Sequence, residues 1–413
     1  IFMVKYKLLS RNLHLANKRR DKAKSELLAP SGDFPSLIAA VEEGADAVYF
    51  GLNEFNMRES AKNFSINDLK KINKICNSKN KKVKKYLTLN TIIYDNELSR
   101  VEKIIKKVKG KVDAIICWDL SVINLCRKYG IDFHVSTQAS VSNIESAKFY
   151  KKLGAKRIVL ARELDLKQIK KISKIIDIEC FIHGAMCVSV SGRCFTSQFI
   201  HCRSANRGMC THPCRRSYVI KDEEGNELKI EGNKVMSAKD LCTLPFIEKL
   251  KKAGITSFKI EGRNRGAEYV SQVTKVYRKA IDKKLSKQEI INGLEELKKV
   301  YNRGFSSGFY LKMPTADDFS FSENGEAQET KHVVGRVEKY WPKVSVAAIK
   351  IFTKKLKLGD EIYIIGKETG IKRCKIESME IEHVQVQEAE KGEVGIKVPL
   401  CHKGDEVFVI RKN

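Results

Sequence analysis

The sequence predicts an α/β protein, a TIM-like (β/α)8 barrel with a cysteine-rich insertion, followed by a small all-β barrel domain. Short runs of β-branched or aromatic residues alternate eight times with lysine-rich segments of helical period, which is typical of repeated βα units. The chain has 413 residues, whereas such a barrel takes roughly 250, so a second domain is expected. An open doubly wound sheet is disfavoured because no glycine-rich phosphate-binding loop follows any predicted strand.

Eight segments are predicted to be the barrel strands: 26–32, 47–52, 86–90, 113–119, 132–138, 157–163, 178–184 and 257–263. The stretches between them carry apolar residues at three- and four-residue spacing, which predicts helices. About 70 residues separate the seventh strand from the eighth, and long ordered connections are usually functional. The second half of this insertion predicts a strand followed by a helix. One long helical segment is expected after the eighth strand.

These patterns divide the chain into four parts. The sequence predicts a basic N-terminal extension at 1–25, the barrel domain at 26–315 with its insertion at 185–242, a polar linker at 316–331, and the C-terminal β-barrel domain at 332–413. The last domain contains only strand-like runs separated by Gly and Lys-Gly-Asp turns.

Composition limits the class of protein. Hydrophobic residues make up 42% of the chain and charged residues 31%, no apolar run approaches the ~20 residues that span a bilayer, and the first residues lack a secretory signal. A cytoplasmic protein without a membrane partner is expected. The net charge of +28 fits a polyanionic partner such as RNA, although lysines that merely decorate solvated helix faces explain it equally well.

Cysteines give a sharper signal than charge. Twelve cysteines without a secretion signal indicate thiols or metal ligands rather than disulfides. Four of them have the spacing C-x6-C-x15-C-x3-C, at Cys187, Cys194, Cys210 and Cys214. Four thiolates on turn-rich loops can enclose a metal centre, and a structural zinc site remains an alternative to an iron-sulfur cluster. The radical-SAM spacing is excluded because Ser217 stands three residues after Cys214.

The stretch ECFIHGAMCVSVSGRCFTS at 179–197 resembles the signature of the U32 (collagenase-like) peptidase family, with Thr196 in place of the usual aliphatic residue. The resemblance extends over nearly the whole barrel, through LLAPSGDFPSLIAAVEEGADAVYFG, HVSTQASVSN, SANRGMCTHPCR and KIEGRNRGAEYVSQVTKVYRKAID. The C-terminal LKLGDEIYIIG and KGDEVFVIRK are similar to the small β-barrel of family members and to the second domain of elongation factors.

The resemblance implies two kinds of activity. The family was named for collagenase-like proteolysis, whereas better understood members are iron-sulfur proteins that support oxygen-independent hydroxylation of a tRNA wobble uridine, a ribosomal RNA cytidine or a ubiquinone precursor. Prephenate is implicated as donor for the RNA substrates. By this comparison the four spaced cysteines match the ligands of a 4Fe-4S cluster in the tRNA-hydroxylation members. Cys202 and Cys242 are additional, and Cys242 is a possible substitute for Cys214.

Chemistry in a βα-barrel normally occupies the carboxyl ends of the strands, and this rule nominates further residues. The catalytic candidates are Asp119, Gln138, His183, Lys259 and Glu261. The candidates for binding substrate are Asn90, Arg162, Arg193, Arg207, Arg215 and Arg263. Each set has a plain alternative: Lys259 and Glu261 could only form ion pairs, His183 could be a structural side chain, and the arginines could balance cluster charge.

The predicted function is iron-sulfur-dependent hydroxylation of RNA, with tRNA or another RNA as partner and a small carboxylate as donor. The alternative is a U32 endopeptidase, although the sequence contains no HExxH motif. A zinc-stabilised RNA-binding module without catalysis is the third interpretation.

Overall fold

The computed structural model describes residues 25–78, 82–216, 218–228, 236–322 and 325–413. All but the last residue of the predicted basic extension at 1–25 lie outside these ranges. No helix in the described ranges is both long and apolar enough to cross a membrane.

Eight parallel strands close into a barrel. They are β1 (Glu26–Pro30), β2 (Ala47–Gly51), β3 (Lys84–Thr88), β4 (Ala114–Cys117), β5 (Phe133–Val135), β6 (Arg157–Val159), β7 (Asp177–Gly184) and β11 (Ser257–Ile260). Each strand pairs with the next along the chain, and β11 pairs with both β1 and β7. All eight overlap the predicted segments, although β3 begins two residues earlier than predicted and β7 one residue earlier, and the predicted closed barrel is confirmed.

Ten helices are described. They are α1 (Phe34–Glu42), α2 (Leu69–Cys76), α3 (Leu98–Val108), α4 (Leu120–Tyr129), α5 (Ile144–Lys152), α6 (Leu166–Ile172), α7 (Thr196–His201), α8 (Ile247–Lys252), α9 (Ala267–Asp282) and α10 (Lys287–Lys298). Polar caps start several of them: Asp33 accepts a hydrogen bond from the Ser36 amide, and Asn143 from the Ser146 amide. Alternate strand residues such as Val48 and Phe50 pack under the helices.

One predicted helix is two helices. The chain is interrupted between α9 and α10, where Ser286 and Glu289 form a reciprocal capping box. This cap starts a new helix and therefore lets α10 turn back against α9, which explains why a continuous periodic pattern did not produce one long helix.

The interior of the barrel contains charged side chains as well as apolar ones. Glu179 accepts a hydrogen bond from Lys259 at 2.7 Å and lies 3.5 Å from Arg157, which also pairs with Glu26. All four side chains are less than a tenth exposed. Since two carboxylates face two cations, this interior layer is compensated in charge.

The insertion adds short elements beside the barrel. They are the hairpin of β8 (Ile220–Lys221) and β9 (Glu227–Leu228), then β10 (Asp240–Cys242), and after α10 the strand β12 (Phe305–Ser306). Strand β10 pairs antiparallel with the end of β7, and β12 pairs with β10. The predicted strand-then-helix order of the second half of the insertion is present as β10 and α8.

The C-terminal part is an antiparallel all-β domain, as predicted. Its strands are β13 (Glu329–Trp341), β14 (Val346–Ile351), β15 (Leu356–Lys357), β16 (Glu361–Gly366), β17 (Gly370–Lys375), β18 (Met379–Ile381), β19 (Val384–Gln385), β20 (Glu388–Ala389), β21 (Gly392–Lys397) and β22 (Glu406–Lys412). Eight of them form one sheet in the order β17-β16-β22-β13-β14-β21-β18-β19. Strand β13 begins inside the predicted linker, and the predicted domain limits remain to be tested.

The two domains contact each other along the side of the barrel. Lys372 of β17 donates hydrogen bonds to Glu42 of α1, and Lys331 donates to Glu268 of α9. At Gly370 an added Cβ would meet the Ile38 side chain at 2.5 Å. The close contact between β17 and α1 therefore requires glycine at position 370.

Candidate metal centre at the carboxyl end of the barrel

The carboxyl ends of the barrel strands bring together three arginines and one glutamate, which we call the mouth cluster: Arg58, Arg162, Glu261 and Arg263. Arg58 donates two hydrogen bonds to Glu261 Oε1, at 3.2 and 3.0 Å, and Arg162 lies 3.8 Å from Oε2. Burial by itself raises the pKa of the Glu261 carboxyl, but the neighbouring guanidinium groups outweigh it and lower this pKa to about 2. Glu261 is therefore ionised, and the cluster keeps an excess of positive charge.

Arg263 is the least compensated member of the mouth cluster. Its guanidinium donates to the Thr88 hydroxyl at 2.9 Å, and it has no carboxylate within 4.0 Å among the described residues. The side chain is buried, and this burial lowers its pKa to about 10. A buried guanidinium with few protein partners is suited to bind an anion.

Three predicted residues lie on neighbouring strand ends beside the mouth cluster. The Asn90 amide donates to Gln138 Oε1 at 3.2 Å and accepts from the Met57 amide, so Asn90 and Gln138 form one buried pair. Asp119 caps α4 through the Ser121 amide and accepts from the Ile93 amide with its other oxygen. Both Asp119 oxygens are thus engaged with backbone.

His183 is on β7 but does not face the mouth cluster. Its ring packs against Tyr269, Tyr277 and Phe305, and its Nδ1 is 3.4 Å from the Tyr277 hydroxyl. Burial lowers its pKa to about 3, so the ring is neutral near pH 7. Strand β10 covers this position through the pairing of Cys242 with His183. This packing favours a structural role for His183 over a role as a catalytic base.

Lys259 lies deeper in the barrel than the mouth cluster. Its ammonium group is bound to Glu179 and is 4.3 Å from the centre of the Tyr49 ring. Lys259 therefore belongs to the compensated interior layer, although its charge also acts on Glu261.

The four spaced cysteines lie on the cysteine segment, residues 185–216, which leaves β7 and crosses the mouth of the barrel. The turn out of β7 requires glycine, because a Cβ at Gly184 would lie 2.5 Å from the Glu261 carbonyl oxygen and φ is 105°. Further along, a Cβ at Gly208 would lie 2.2 Å from the Asn56 carbonyl oxygen. The first approach holds the segment against the end of β11, and the second holds it against the loop after β2.

The thiols of the cysteine segment influence one another. Burial raises the pKa of the Cys214 thiol, the Arg215 charge opposes this rise, and negative charge on Cys187, Cys210 and Cys194 adds to it. The Cys194 sulfur accepts hydrogen bonds from the Thr196 hydroxyl at 3.1 Å and from its amide at 3.4 Å. These bonds outweigh burial and lower the pKa of the Cys194 thiol. A cationic group held between the four sulfurs would relieve their repulsion.

The chemistry of this donor set suits a metal centre held by thiolates. Throughout the described ranges, no three His, Cys, Asp or Glu side chains lie close enough together to hold one metal ion. A tetrahedral zinc ion requires all four sulfurs at about 2.3 Å from one centre. A four-iron cluster takes one thiolate on each iron, so its ligands stand farther apart. The four thiols supply the type of ligand that either centre requires.

The predicted arginines of the cysteine segment hold it to neighbouring parts of the chain. Arg207 binds Glu97 with both terminal nitrogens, at 3.0 and 2.5 Å. Arg193 donates to the Gln138 carbonyl and lies over the Trp118 ring. Arg215 donates to the Met186 carbonyl within the segment. It also donates to the Ala238 carbonyl and the Ser237 hydroxyl in the second half of the insertion. The guanidinium groups of Arg193, Arg207 and Arg215 thus donate hydrogen bonds to acceptors of the protein itself.

The two additional cysteines lie in different places. Cys202 is exposed and adopts a left-handed conformation at the end of α7. Cys242 is buried, its sulfur is 3.6 Å from the Tyr277 hydroxyl, and burial raises its pKa to about 11. The Cys242 sulfur thus shares the covered environment of His183.

The model of peptidase family U32 matches residues 32–320, which include seven of the eight barrel strands and the whole cysteine segment. The chain belongs to peptidase family U32. An uncharacterized protease of Methanocaldococcus jannaschii is 42% identical over 407 residues, with 94% of this chain and 98% of the relative covered.

Two further U32 relatives carry different functional names. A collagenase of Porphyromonas gingivalis is 40% identical, with 92% of this chain and 95% of the relative covered. The tRNA hydroxylation protein P1 of Bacillus subtilis is 35% identical, with 85% and 86% covered. The resemblance to this family is thereby confirmed, and its members are named both for proteolysis and for RNA hydroxylation.

Sequence reasoning missed several residues near the mouth cluster and the cysteine segment. Arg58 belongs to the mouth cluster, and the buried Asp240 lies 3.8 Å from Arg303. Arg58 follows β2, so the rule of carboxyl strand ends could have nominated it. Asp240 and Arg303 could not be found in this way, because they reach the site from the insertion and from the segment after α10.

Proposed function

We propose that this U32 protein is an iron-sulfur enzyme that hydroxylates RNA without molecular oxygen, with the wobble uridine of tRNA as its substrate. The observation that carries the proposal is the meeting of four mutually interacting thiols and the arginine-rich mouth cluster at one end of the barrel. The B. subtilis relative named for tRNA hydroxylation supports the choice of RNA.

The cofactor of the proposed enzyme is a 4Fe-4S cluster held by Cys187, Cys194, Cys210 and Cys214. When bound, such a cluster supplies one-electron redox chemistry at the mouth of the barrel. The protein contributes the position of the ligands, since Gly184 and Gly208 hold the cysteine segment in close contact with the barrel.

The mouth cluster has the chemistry to bind a small carboxylated donor such as prephenate. Arg263 and Arg162 offer guanidinium donors at the mouth of the barrel, and Glu261 alone does not neutralise them. The buried pair of Asn90 and Gln138 adds amide groups on the adjacent strand ends. Binding the donor here would place it between the barrel interior and the cysteine segment.

Anaerobic purification with assays for iron, acid-labile sulfide and zinc tests the cofactor. The Cys210→Ala variant should lose iron and sulfide, because one of four ligands is removed. The Cys202→Ala variant is the matched control in the same segment and should keep both. Stoichiometric zinc without sulfide, or a full cluster in Cys210→Ala, would contradict the proposal and favour the zinc-binding alternative.

Nucleoside analysis of a deletion strain tests the reaction. The hydroxylated wobble uridine of tRNA should disappear, and a plasmid copy of the wild-type gene should restore it. The purified holo-protein should not cleave gelatin, since the one histidine of β7 near the insertion is covered and neutral near pH 7. An unchanged nucleoside profile together with gelatin cleavage would restore the endopeptidase alternative.

A further inference from the structure

The cysteine segment exposes large apolar side chains. Phe199 is 83% exposed and Phe195 64%, and the two rings lie 6.2 Å apart between centres at an angle of 44°. Burying a side chain of this size is worth about 1.5 to 3 kcal/mol. Adjacent apolar side chains that a monomer leaves in water mark a surface that binds a partner.

This aromatic pair, Phe195 and Phe199, has a fixed position relative to the thiols. Phe195 directly follows Cys194, and the Cys194 sulfur accepts a hydrogen bond from the Thr196 amide at the start of α7. On the same helix the Ser197 hydroxyl is buried and 3.8 Å from the Cys210 sulfur. A group that stacks on the aromatic pair is therefore held beside the proposed cluster site.

The positive charge around the aromatic pair indicates a negatively charged partner. From residue 180 to residue 221 the chain contains no aspartate or glutamate, but five arginines. Arg203 and Arg216 are exposed and form no salt bridge within the ranges that the structure describes. Exposed rings with unpaired cations nearby match the alternating bases and phosphates of a single-stranded nucleic acid.

We propose that Phe195 and Phe199 form a stacking platform for unpaired bases of RNA, and that Arg203 and Arg216 bind the flanking phosphates. This inference rests on the proposed function for the identity of the partner and adds the surface that presents the RNA to the site. Duplex RNA cannot stack its paired bases on the platform, so single-stranded segments should be preferred.

Equilibrium binding of iron-loaded full-length protein to a labelled ten-nucleotide RNA tests the platform. Phe195→Ala and Phe199→Ala should each weaken binding of the single strand about tenfold, because base-aromatic stacking contributes on this scale. Phe199→Trp should retain affinity. The control is Phe149→Ala, which removes a ring that is 56% exposed on α5, and it should bind like the wild type.

A duplex of the same length provides the second measurement. Its affinity should change less than twofold in the phenylalanine variants, whereas Arg203→Ala should weaken both RNAs and reduce the salt dependence of binding. Equal losses for single strand and duplex, or normal single-strand affinity in the Phe195→Ala/Phe199→Ala double variant, would overturn the platform. Loss of self-association or of binding to anionic vesicles in the double variant, with RNA affinity intact, would assign the surface to another partner.

The platform and the proposed function can fail separately. Normal RNA affinity in the double variant, combined with loss of the hydroxylated nucleoside in the deletion strain, would remove the platform alone. Weakened single-strand binding, combined with an unchanged nucleoside profile in that strain, would keep the platform and remove the proposed reaction. Iron content must match the wild type in every variant, because the thiols lie next to the altered residues.

Discussion

The interior layer and the mouth cluster of the barrel both combine carboxylates with cationic side chains but differ in charge balance. In the interior, Glu26 and Glu179 face Arg157 and Lys259, and each charge has an opposite partner within 4.0 Å. At the mouth, the single carboxylate of Glu261 is surrounded by the three arginines of the mouth cluster. The comparison teaches that buried charge alone does not identify a binding site. The informative feature is buried charge that the protein itself leaves uncompensated.

The largest effect on stability is expected from removing a cation of the interior layer. Arg157→Met leaves Glu26 short of its main partner and weakens the pairing of Glu179, so the free energy of unfolding should fall by about 3 to 5 kcal/mol. Urea denaturation of the wild type and of Arg157→Met measures this difference in the free energy of unfolding. The control is Lys156→Met, whose exposed ion pair with Asp132 should contribute less than about 1 kcal/mol. Equal, small losses in both variants would show that the interior charges do not stabilise the barrel.

An intermediate effect is expected from acid at the mouth cluster. The pKa of Glu261 falls from 4.5 to about 2 on folding, because the arginine charges outweigh burial, which acts in the opposite direction. A lowered carboxyl pKa stabilises the fold fully above about pH 4.5, and this contribution is lost as the pH falls toward 2. It should amount to about 3 kcal/mol.

The Glu261→Gln variant isolates this contribution from other carboxyls. Its free energy of unfolding should lie below that of the wild type at pH 7, and the difference should shrink as the pH falls below 4.5. Denaturation curves at pH 7, 5, 4 and 3 measure the difference. A constant difference over that range would mean that Glu261 has no lowered pKa in the folded protein.

The smallest effect on stability is expected at Arg263. Its burial lowers the pKa to about 10, so folding disfavours the charged form, and Arg263→Met should change the free energy of unfolding by less than about 1 kcal/mol. Its iron content should equal that of the wild type, whereas hydroxylation of RNA should decrease, since an anion-binding group is lost. A loss of stability as large as that of Arg157→Met would make Arg263 a structural residue and remove the distinction between the two regions.

The sequence determined the elements that depend on local pattern. Eight strands, their helices and the all-β C-terminal part follow from hydrophobic period and turn residues, which act over a few neighbours. The family signature around Cys187 and Cys194 was likewise readable, because a ligand segment needs its own spacing and turns. The break before α10 was missed since Ser286 caps the helix without interrupting the apolar period.

The tertiary structure decided which polar side chains are available to a ligand. Sequence placed His183, Asp119 and Lys259 at strand ends, but β10 covers the first, α4 engages the second and Glu179 binds the third. In contrast, Arg58 approaches Glu261 from a loop 203 residues away along the chain. Availability depends on partners that only long-range packing brings within bonding distance, and no local pattern encodes such a partner.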